Sequence, residues 1–439
     1  MPPTLYPLFS ERHRARNRLA RVLLLALPLA FACRAAPGPI TSEVNAASLR
    51  ADVTWLASDG LGGRPTGSPG FDTAADFVIQ RYQSLGILPA PGMNGYLQLY
   101  LARTSRTRGA EPTTIEAKNV VAFIPGRDPV LSAEVIVLGA HLDHLGRSTI
   151  GALDPGAGDA IRNGADDNAS GSVVVLELAR RLRLAPTRRS ILLVHFSGEE
   201  LGLLGSAYFV ENSPVPLAQV QAMLNFDMVG RLNNERLIVY GVGTAAELPG
   251  LIDSVSAGSG FVVNKVPDGI GPSDHASFHL RDLPVLHFFT DIHEDYHRAT
   301  DDAVRINAEG MWRVAGLAEK VTRALGDRPG KLAVQRTVAA SPNAGSRQSN
   351  GVYLGSIPDM GAADVVGMRI TGVRADSPAD KGGLRGGDVI VEFGGRSVKD
   401  IYEYTDALNA FSPGDIVTVI VIRDGARVSL QITLGRRGG

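Results

Sequence analysis

The sequence predicts an α/β protein with a mainly parallel central sheet between helical layers, followed by a smaller β-rich domain. Between residues 48 and 325, apolar runs of strand length alternate with segments of helical period. Strands that are buried on both faces have such uninterrupted apolar runs, so this alternation indicates a covered, mainly parallel sheet. Residues 326–350 are rich in Pro, Gly, Ser, Asn and Arg and form a predicted linker. Short strand-like runs then fill residues 351–436.

The composition is that of a globular protein with room for two domains. The chain has 439 residues, of which 44% are hydrophobic and 20% charged. Its formal net charge is −1. The chain therefore lacks the net positive field that nucleic-acid-binding proteins use.

Residues 1–32 are typical of a signal peptide. Five arginines precede the apolar stretch 22–32, which is too short to span a bilayer as a mature helix. The only cysteine, Cys33, follows Ala30-Phe31-Ala32, and its position resembles a bacterial lipoprotein attachment site. We expect export to the bacterial cell envelope or periplasm, with a lipid anchor at Cys33 or, alternatively, simple secretion. Residues 33–47 form the predicted tether.

The elements follow in order from hydrophobic periodicity. Helices are predicted at 48–59, 72–87, 170–183 and 309–325. Strands are predicted at 96–103, 119–125, 134–140, 191–194, 222–226, 236–240 and 284–289. The strand 191–194 leads to two adjacent carboxylates, after which another helix is expected to begin.

Ligand-type side chains follow several of these strands. The segments contribute His141 and Asp143, Asp166 and Asp167, Glu199 and Glu200, Asp227, and His297. Imidazole and carboxylate groups are the ligands of a zinc site without thiolates. Five ligands exceed what one catalytic zinc takes, and they suit two zinc ions that share a bridging carboxylate. Asp143 is expected to hold the second imidazole nitrogen of His141.

Five motifs resemble those of the co-catalytic zinc aminopeptidases of metallopeptidase family 28. They are GAHLDHLG, NGADDNASG, FSGEELGLLGS, NFDMVGR and DYHRATDD, and the likeness extends over residues 48–325. The resemblance implies a zinc exopeptidase fold of the phosphorylase/hydrolase-like type. It also implies two zinc ions per chain. His141 and Asp227 would hold one ion, Glu200 and His297 would hold the other, and Asp167 would bridge the two.

The resemblance gives the remaining residues their expected roles. Glu199 matches the general base that activates a zinc-bridging hydroxide, and Tyr296 matches a tyrosine that stabilises the tetrahedral intermediate. Peptides with a free N-terminus are the expected substrates. Asp274 and His275 also fit the family pattern without a ligand role. The other histidines are interpreted as packing or surface residues: His144, His195, His279 and His287. Asp291, Glu294 and Asp295 are interpreted as a solvated acidic loop, with attraction of a substrate amine as the alternative.

The motif SPADKGGLRGGDVIVEFGGRSV resembles the centre of a PDZ domain of the bacterial type. Tyr353, Leu354 and Gly355 resemble its carboxylate-binding loop. A C-terminal peptide is therefore the expected ligand, and a domain that only packs on the peptidase is the alternative. Ser356 replaces a hydrophobic residue and Pro358 removes a backbone donor, so weak binding is expected.

Two other functions stay open from the sequence. A carboxypeptidase or dipeptidase on the same fold would need a basic cluster for a substrate carboxylate, and the sequence alone does not identify one. A non-catalytic peptide-binding protein would use the peptidase fold as a scaffold. The full set of ligand-type residues and the base favours the enzyme.

Overall fold

The computed structural model describes residues 45–104, 113–149, 151–271, 273–335, 352–358, 366–373, 377–399, 403–404, 407–408 and 410–436. The predicted signal peptide and Cys33 lie outside these residues. No helix in these ranges is long and apolar enough to cross a membrane.

Helices and strands alternate through residues 45–335, as the sequence predicts. The helices are α1 (Ala46–Leu56), α2 (Pro69–Ser84), α3 (Gly171–Leu184), α4 (Leu204–Glu211), α5 (Leu248–Ser256), α6 (His275–His279) and α7 (Ala308–Asp327). The strands are β1 (Leu88–Pro89), β2 (Leu97–Thr104), β3 (Thr113–Ile124), β4 (Val135–His141), β5 (Ser190–Phe196), β6 (Val220–Phe226), β7 (Arg236–Tyr240), β8 (Val262–Val266) and β9 (Val285–Phe289).

Within the described ranges these nine strands form one sheet in the order β1-β3-β5-β4-β6-β9-β7-β8, with β2 paired to β3. The central strands β5, β4, β6 and β9 are parallel, and antiparallel pairs flank them. The chain moves from β4 to β5 on one side and then to β6 on the other. This reversal leaves a crevice at the carboxyl end of β4, where open α/β sheets bind their ligands.

Helices cover both faces of the sheet, which explains the continuous apolar runs. In β4, Ile136 and Leu138 face a core built with α1, α3 and α7, while Val135 and Val137 face the opposite side. Phe209 of α4 and Phe278 of α6 fill that opposite side. All seven residues of β4 are buried, because successive side chains alternate between two covered faces.

The structure differs from the prediction at three places. Helix α4 begins at Leu204, because Leu201–Leu203 form turns after the two carboxylates. Four short elements, α5, α6, β1 and β8, were not predicted from the sequence. Part of the predicted linker packs on the first domain: Leu332 joins its core, and the Gln335 amide donates to the Thr244 carbonyl at 2.9 Å.

The second domain has its own hydrophobic core around Phe393 and Ile390. It contains β10 (Val352–Tyr353), β11 (Ser356–Pro358), β12 (Met368–Val373), α8 (Pro378–Lys381), β13 (Val389–Phe393), β14 (Arg396–Ser397), β15 (Ile416–Arg423), β16 (Ala426–Thr433) and β17 (Gly435–Arg436). Among the described residues β11 is an edge strand, paired only to β12. The sequence also predicts a helix over residues 401–408, which lie partly outside the described residues.

The predicted carboxylate-binding loop lies between β10 and β11. Leu354 is buried, and its carbonyl accepts a hydrogen bond of 2.8 Å from the Ala379 amide at the start of α8. Gly355 has φ +89°, and a Cβ there would lie 2.3 Å from Cβ of Ser377. A residue without a side chain is required at this turn.

Candidate metal centre

The predicted ligands meet at the carboxyl ends of the parallel strands, around the crevice described above. His141 ends β4, Glu199 and Glu200 follow β5, and Asp227 follows β6. Asp167 lies in the loop before α3, and His297 lies eight residues beyond the end of β9. The site is therefore assembled from five segments whose shared edge of the sheet brings them together.

His141 is oriented by the main chain. Its Nδ1 lies 3.0 Å from the Asp143 carbonyl oxygen. A carbonyl can only accept, so Nδ1 carries the proton and Nε2 presents its lone pair. Nε2 lies 3.2 Å from Asp167 Oδ1 and 3.4 Å from Asp227 Oδ1.

Asp143 holds Nδ1 of His141, as expected, and it does so through its carbonyl rather than its carboxylate. Its Oδ1 is 3.9 Å from Nδ1, whereas the carbonyl of the same residue makes the hydrogen bond. The carboxylate instead accepts from the Thr66 hydroxyl at 2.7 Å and from the Glu199 amide at 3.3 Å. Asp143 therefore fixes two ligand segments at once: that of His141 through its carbonyl and that of Glu199 through its carboxylate.

His297 is held in the same way on the other side. Its Nδ1 donates to the Gly151 carbonyl at 2.8 Å, and its Nε2 lies 3.1 Å from Asp167 Oδ2 and 3.3 Å from Glu200 Oε2. The residue has φ +53°, an unfavourable backbone conformation for a side chain with a Cβ. Such conformations persist where the surrounding structure fixes them, and they are concentrated at functional sites.

Asp167 lies between the two histidines with one oxygen toward each. Its loop is anchored by the buried carboxylate of Asp301, which accepts from the Asp166 and Asp167 amides at 3.0–3.1 Å. Gly164 begins the loop with φ +58°, and a Cβ there would lie 2.0 Å from the Asp167 carbonyl oxygen. This loop geometry presents Asp167 as the predicted bridge.

Glu200 contacts a histidine that the sequence reading assigned to packing. His144 is buried, and its Nδ1 lies 2.6 Å from Glu200 Oε1 and 3.8 Å from Asp167 Oδ2. His144 therefore belongs to the site, where its ring orients Glu200. Its position one residue after Asp143 in the motif HLDH was the available signal.

Glu199 and Asp227 lie on the His141 side. Ligand atoms of His141, Glu199 and Asp227 all lie within 4.8 Å of one another. Asp227 Oδ2 accepts from the Ser273 hydroxyl at 2.7 Å, which leaves its buried Oδ1 without a hydrogen bond among the described residues. Burial raises the pKa of Glu199 well above its usual value, with His141 acting in the opposite direction and the Glu200 carboxylate in the same one.

Tyr296 packs against the ligand that follows it. Its ring stacks on the His297 imidazole with centroids 3.9 Å apart. Burial and then the nearby carboxylates, Asp167 first, raise the pKa of Tyr296 well above its usual value. The phenol therefore stays protonated at neutral pH and can donate a hydrogen bond.

The side chains present fit a pair of divalent cations. Four carboxylates, Asp167, Glu199, Glu200 and Asp227, meet in a largely buried cluster with two imidazoles, whose Nε2 atoms lie 3.1–3.4 Å from carboxylate oxygens. An imidazole lone pair and a carboxylate at that separation repel each other unless a proton or a cation lies between them. Two zinc ions would balance the four negative charges, and Asp167 has one oxygen for each.

A buried arginine holds the two ligand loops together. Arg64 is fully buried and donates to the carbonyls of Leu142 at 2.9 Å, Asn163 at 2.7 Å and Gly164 at 3.0 Å. Burial lowers the pKa of Arg64 to about 10. Nearby carboxylates act in the opposite direction, and Asp143 has the largest effect among them. The sequence reading assigned Arg64 no role, because only the fold shows that GLGGRPTG packs under the site.

The other candidates lie around the centre. His195 and His287 are buried, and burial lowers their pKa values to about 3 and about 4. The predicted packing interpretation of both fits these positions. Burial raises the pKa of Asp274 to about 7. His275 stacks on His287 with centroids 4.4 Å apart.

The acidic loop before His297 is paired with arginines. Asp295 lies 2.9 Å from Arg231, and Asp291 lies 3.5 Å from Arg236. Glu294, which is largely exposed, lies 3.5 Å from Arg305. The buried Asp295 and its pair with Arg231 anchor the loop that presents Tyr296 and His297, whereas the other two pairs are at least partly exposed and contribute little.

Comparisons with known proteins agree with this geometry. Peptidase family M28 matches residues 119–322, and the PDZ domain family matches residues 333–434. Leupeptin-inactivating enzyme 1 of Streptomyces exfoliatus is 32% identical over 281 residues, which cover 62% of this chain and 56% of that protein. Aminopeptidase YwaD of Bacillus subtilis is 32% identical over 174 residues, 35% of this chain and 36% of that protein. The chain thus spans about half or less of the length of these relatives.

Solved structures show the same fold. A leucine aminopeptidase precursor of Bacteroides thetaiotaomicron has a TM-score of 0.53 at 18% identity, covering 64% of this chain and 97% of its own. The aminopeptidase of Aneurinibacillus sp. strain AM-1 has a TM-score of 0.51 at 19% identity, covering 69% and 98%. A glutaminyl cyclase of Porphyromonas gingivalis also matches, with a TM-score of 0.51 at 20% identity, covering 64% and 98%. This fold is therefore shared by structures titled as aminopeptidases and by one titled as a glutaminyl cyclase.

The matched ranges, the sheet and the ordered motifs agree, and the predicted family and fold class are confirmed. The chain contains a Peptidase family M28 domain, matched over residues 119–322, and a PDZ domain, matched over residues 333–434.

Proposed function

We propose that the protein is an exported zinc aminopeptidase with two zinc ions per chain. The observation that carries this proposal is Asp167, whose two oxygens lie 3.2 Å and 3.1 Å from the Nε2 atoms of His141 and His297. A carboxylate between two separate imidazoles is the arrangement that a bridged pair of metal ions requires. The relatives named as aminopeptidases support the same activity.

In this proposal the protein residues divide the work. His141, Asp227 and Asp167 would hold one ion, and Glu200, His297 and Asp167 the other. Bound zinc would act as a Lewis acid and lower the pKa of water toward neutrality. Glu199 accepts the proton of the attacking water and passes it to the leaving amine, while the Tyr296 hydroxyl donates to the carbonyl oxygen as negative charge develops.

The proposal is tested with matched substrates. Leucyl-p-nitroanilide and its N-acetylated form differ only in the free amine, and an aminopeptidase cleaves only the first. The activity should disappear with a chelator and return with zinc. Equal cleavage of both forms would point to a different peptidase on this fold, and binding without cleavage by the zinc-loaded protein would point to the scaffold alternative.

The PDZ domain is proposed to bring peptide termini near the peptidase. Its own core supports independent folding, and every predicted ligand precedes residue 300. Ser356 contacts the Tyr404 hydroxyl at 2.7 Å, so the polar group expected in the terminal pocket is already paired within the domain. Weak binding of C-terminal peptides, in the micromolar range or weaker, follows from this pairing and from Pro358 in the edge strand.

Removing the PDZ domain should leave the chemistry intact. A chain that ends after Gln335 keeps Leu332 in the first core and the main-chain bond to Thr244. We expect it to cleave leucyl-p-nitroanilide at close to the full-length rate and to lose efficiency only on long chains. If this zinc-loaded, folded chain fails on the small substrate, the PDZ domain is part of the active site.

Cys33 is proposed as the point of envelope attachment. One acyl chain binds a membrane weakly and two bind it stably, so diacylation would anchor the protein. We expect membrane fractions to retain the wild type and to release a Cys33→Ser variant that has been processed to its mature length. Equal retention of both would contradict the proposed anchor.

A further inference from the structure

A cavity lined by three arginines is formed by the segments that follow the ligand Asp227 and precede the ligand His297. Its volume is about 390 Å³, and its charged lining consists of Arg231, Arg236, Arg305, His293 and one acidic residue, Asp291. The arginines are distributed over a long stretch of sequence, which is why the sequence does not show them as a cluster. This volume is in the range that holds a small ligand or one part of a larger one.

The cavity is tied to the metal ligands by two short segments. Arg231 comes four residues after Asp227, and His293 comes four residues before His297. Four residues of extended chain span at most about 14 Å, so each of these Cα atoms lies within that distance of a ligand's Cα. His293 also contacts Asp166, the neighbour of the bridging residue, through Nε2 and Oδ2 at 3.1 Å. A peptide of up to four residues, which spans up to about 14 Å when extended, is long enough to cover this separation.

The arginines retain donors after their ion pairs are counted. Arg231 donates through Nη2 to Asp295, yet its buried Nη1 has no hydrogen-bond partner among the described residues. Arg305 shares Asp295 at 3.4 Å and also contacts Glu294, while Arg236 contacts Asp291 at 3.5 Å. Each guanidinium carries five N–H groups, and a planar acceptor with two oxygens matches their geometry.

We propose that this cavity binds a carboxylate of the peptide substrate, placed within three residues of the scissile bond. The proposal rests on the peptidase function above and names its substrate class. Two sources have the same chemistry: the C-terminal carboxylate of a short peptide, and an acidic side chain at the N-terminal residue. This is the basic cluster that the dipeptidase alternative would need, now located in the fold.

Equilibrium binding tests the proposal without turnover. The zinc-loaded Glu199→Gln protein is titrated in a calorimeter with Leu-Gly-Gly and its C-terminal amide, and with Glu-Gly-Gly-amide and Gln-Gly-Gly-amide. A carboxylate that gains charge-assisted hydrogen bonds should bind about tenfold more tightly or better than its neutral partner. Preference in the first pair identifies the C-terminus, and preference in the second identifies the side chain.

The arginines are tested with exposed members of the cluster. Arg236 and Arg305 are each 43% exposed, so an Arg236→Gln, Arg305→Gln protein should fold and lose the preference. Arg281→Gln is the matched control, because Arg281 is 45% exposed, forms an ion pair with Glu211 and does not line the cavity. It should keep the full preference.

Equal binding within both peptide pairs overturns the proposal, and so does a preference that survives in the double variant. The proposed function is judged separately, by cleavage of neutral Leu-Gly-Gly-amide with the unmodified Glu199. A protein that cleaves this amide but shows no carboxylate preference is an aminopeptidase without the inferred subsite.

Discussion

A Glu199→Gln variant is expected to lose at least ~10²-fold in turnover number, the lower end for removal of a general acid–base group. The amide keeps the volume of the side chain and cannot accept a proton. The zinc content should stay at the wild-type value, because the proposed ligands are other residues. Turnover on leucyl-p-nitroanilide and elemental analysis of the same sample measure both quantities.

Glu200→Gln is the matched comparison, since it makes the same change one residue further along. Glu200 lies 3.3 Å from the His297 imidazole and 2.6 Å from His144, so it should lose zinc as well as rate. Glu177→Gln is a control for the change in charge, because Glu177 is buried in α3 and pairs with Arg180 and Arg181. Two variants, Glu199→Gln and Glu200→Gln, that both kept zinc and rate would contradict the assigned roles.

Asp167→Asn is expected to remove both ions and nearly all activity. Loss of a residue that only supports a ligand costs ~10–100-fold in metal affinity or activity, and a bridging ligand should cost more. Asp227→Asn should weaken one ion only, because Asp227 contacts His141 and not His297. Zinc per chain after dialysis distinguishes the two variants. If Asp167→Asn kept as much zinc as Asp227→Asn, Asp167 would not be the bridge.

The fold and the ligand segments could be predicted from the sequence because most of the ligand-type residues follow directly after recognisable apolar strands. The run before His141 and the run before Glu199 are apolar throughout, and both faces of these strands are covered in the structure. Since parallel strands share a carboxyl edge, the residues after each strand were expected to meet there. The resemblance to the family then indicated which of the two zinc ions each ligand residue would hold.

The parts that could not be predicted depend on contacts across the fold. From the sequence, an arginine in a glycine-rich loop is expected to lie at the surface. In the structure Arg64 is buried and donates to the carbonyls of Asn163 and Gly164. His144 was interpreted as packing because a single histidine beside a known motif has no distinctive spacing. Asp143 was placed correctly in the site, but only the coordinates show that its carbonyl, rather than its carboxylate, orients His141.

The arginine cavity could not be predicted from the sequence either, because it too depends on contacts across the fold. Arg231 lies in the loop between β6 and β7, Arg236 is the first residue of β7, and Arg305 ends a 3-10 helix before α7, yet all three line one cavity. No local pattern marks them, since each also fits a solvated surface position. Only their common cavity, and the short segments that join it to Asp227 and His297, distinguish them from other arginines.

The number of zinc ions per chain at full activity distinguishes a bridged two-zinc centre from a site with one zinc. The dialysed wild-type protein is analysed for zinc per chain while its rate on leucyl-p-nitroanilide is measured on the same sample. The bridged centre predicts two zinc ions per chain at full activity, with both removed and the rate lost on chelation. One tightly bound zinc per chain at full activity would contradict it.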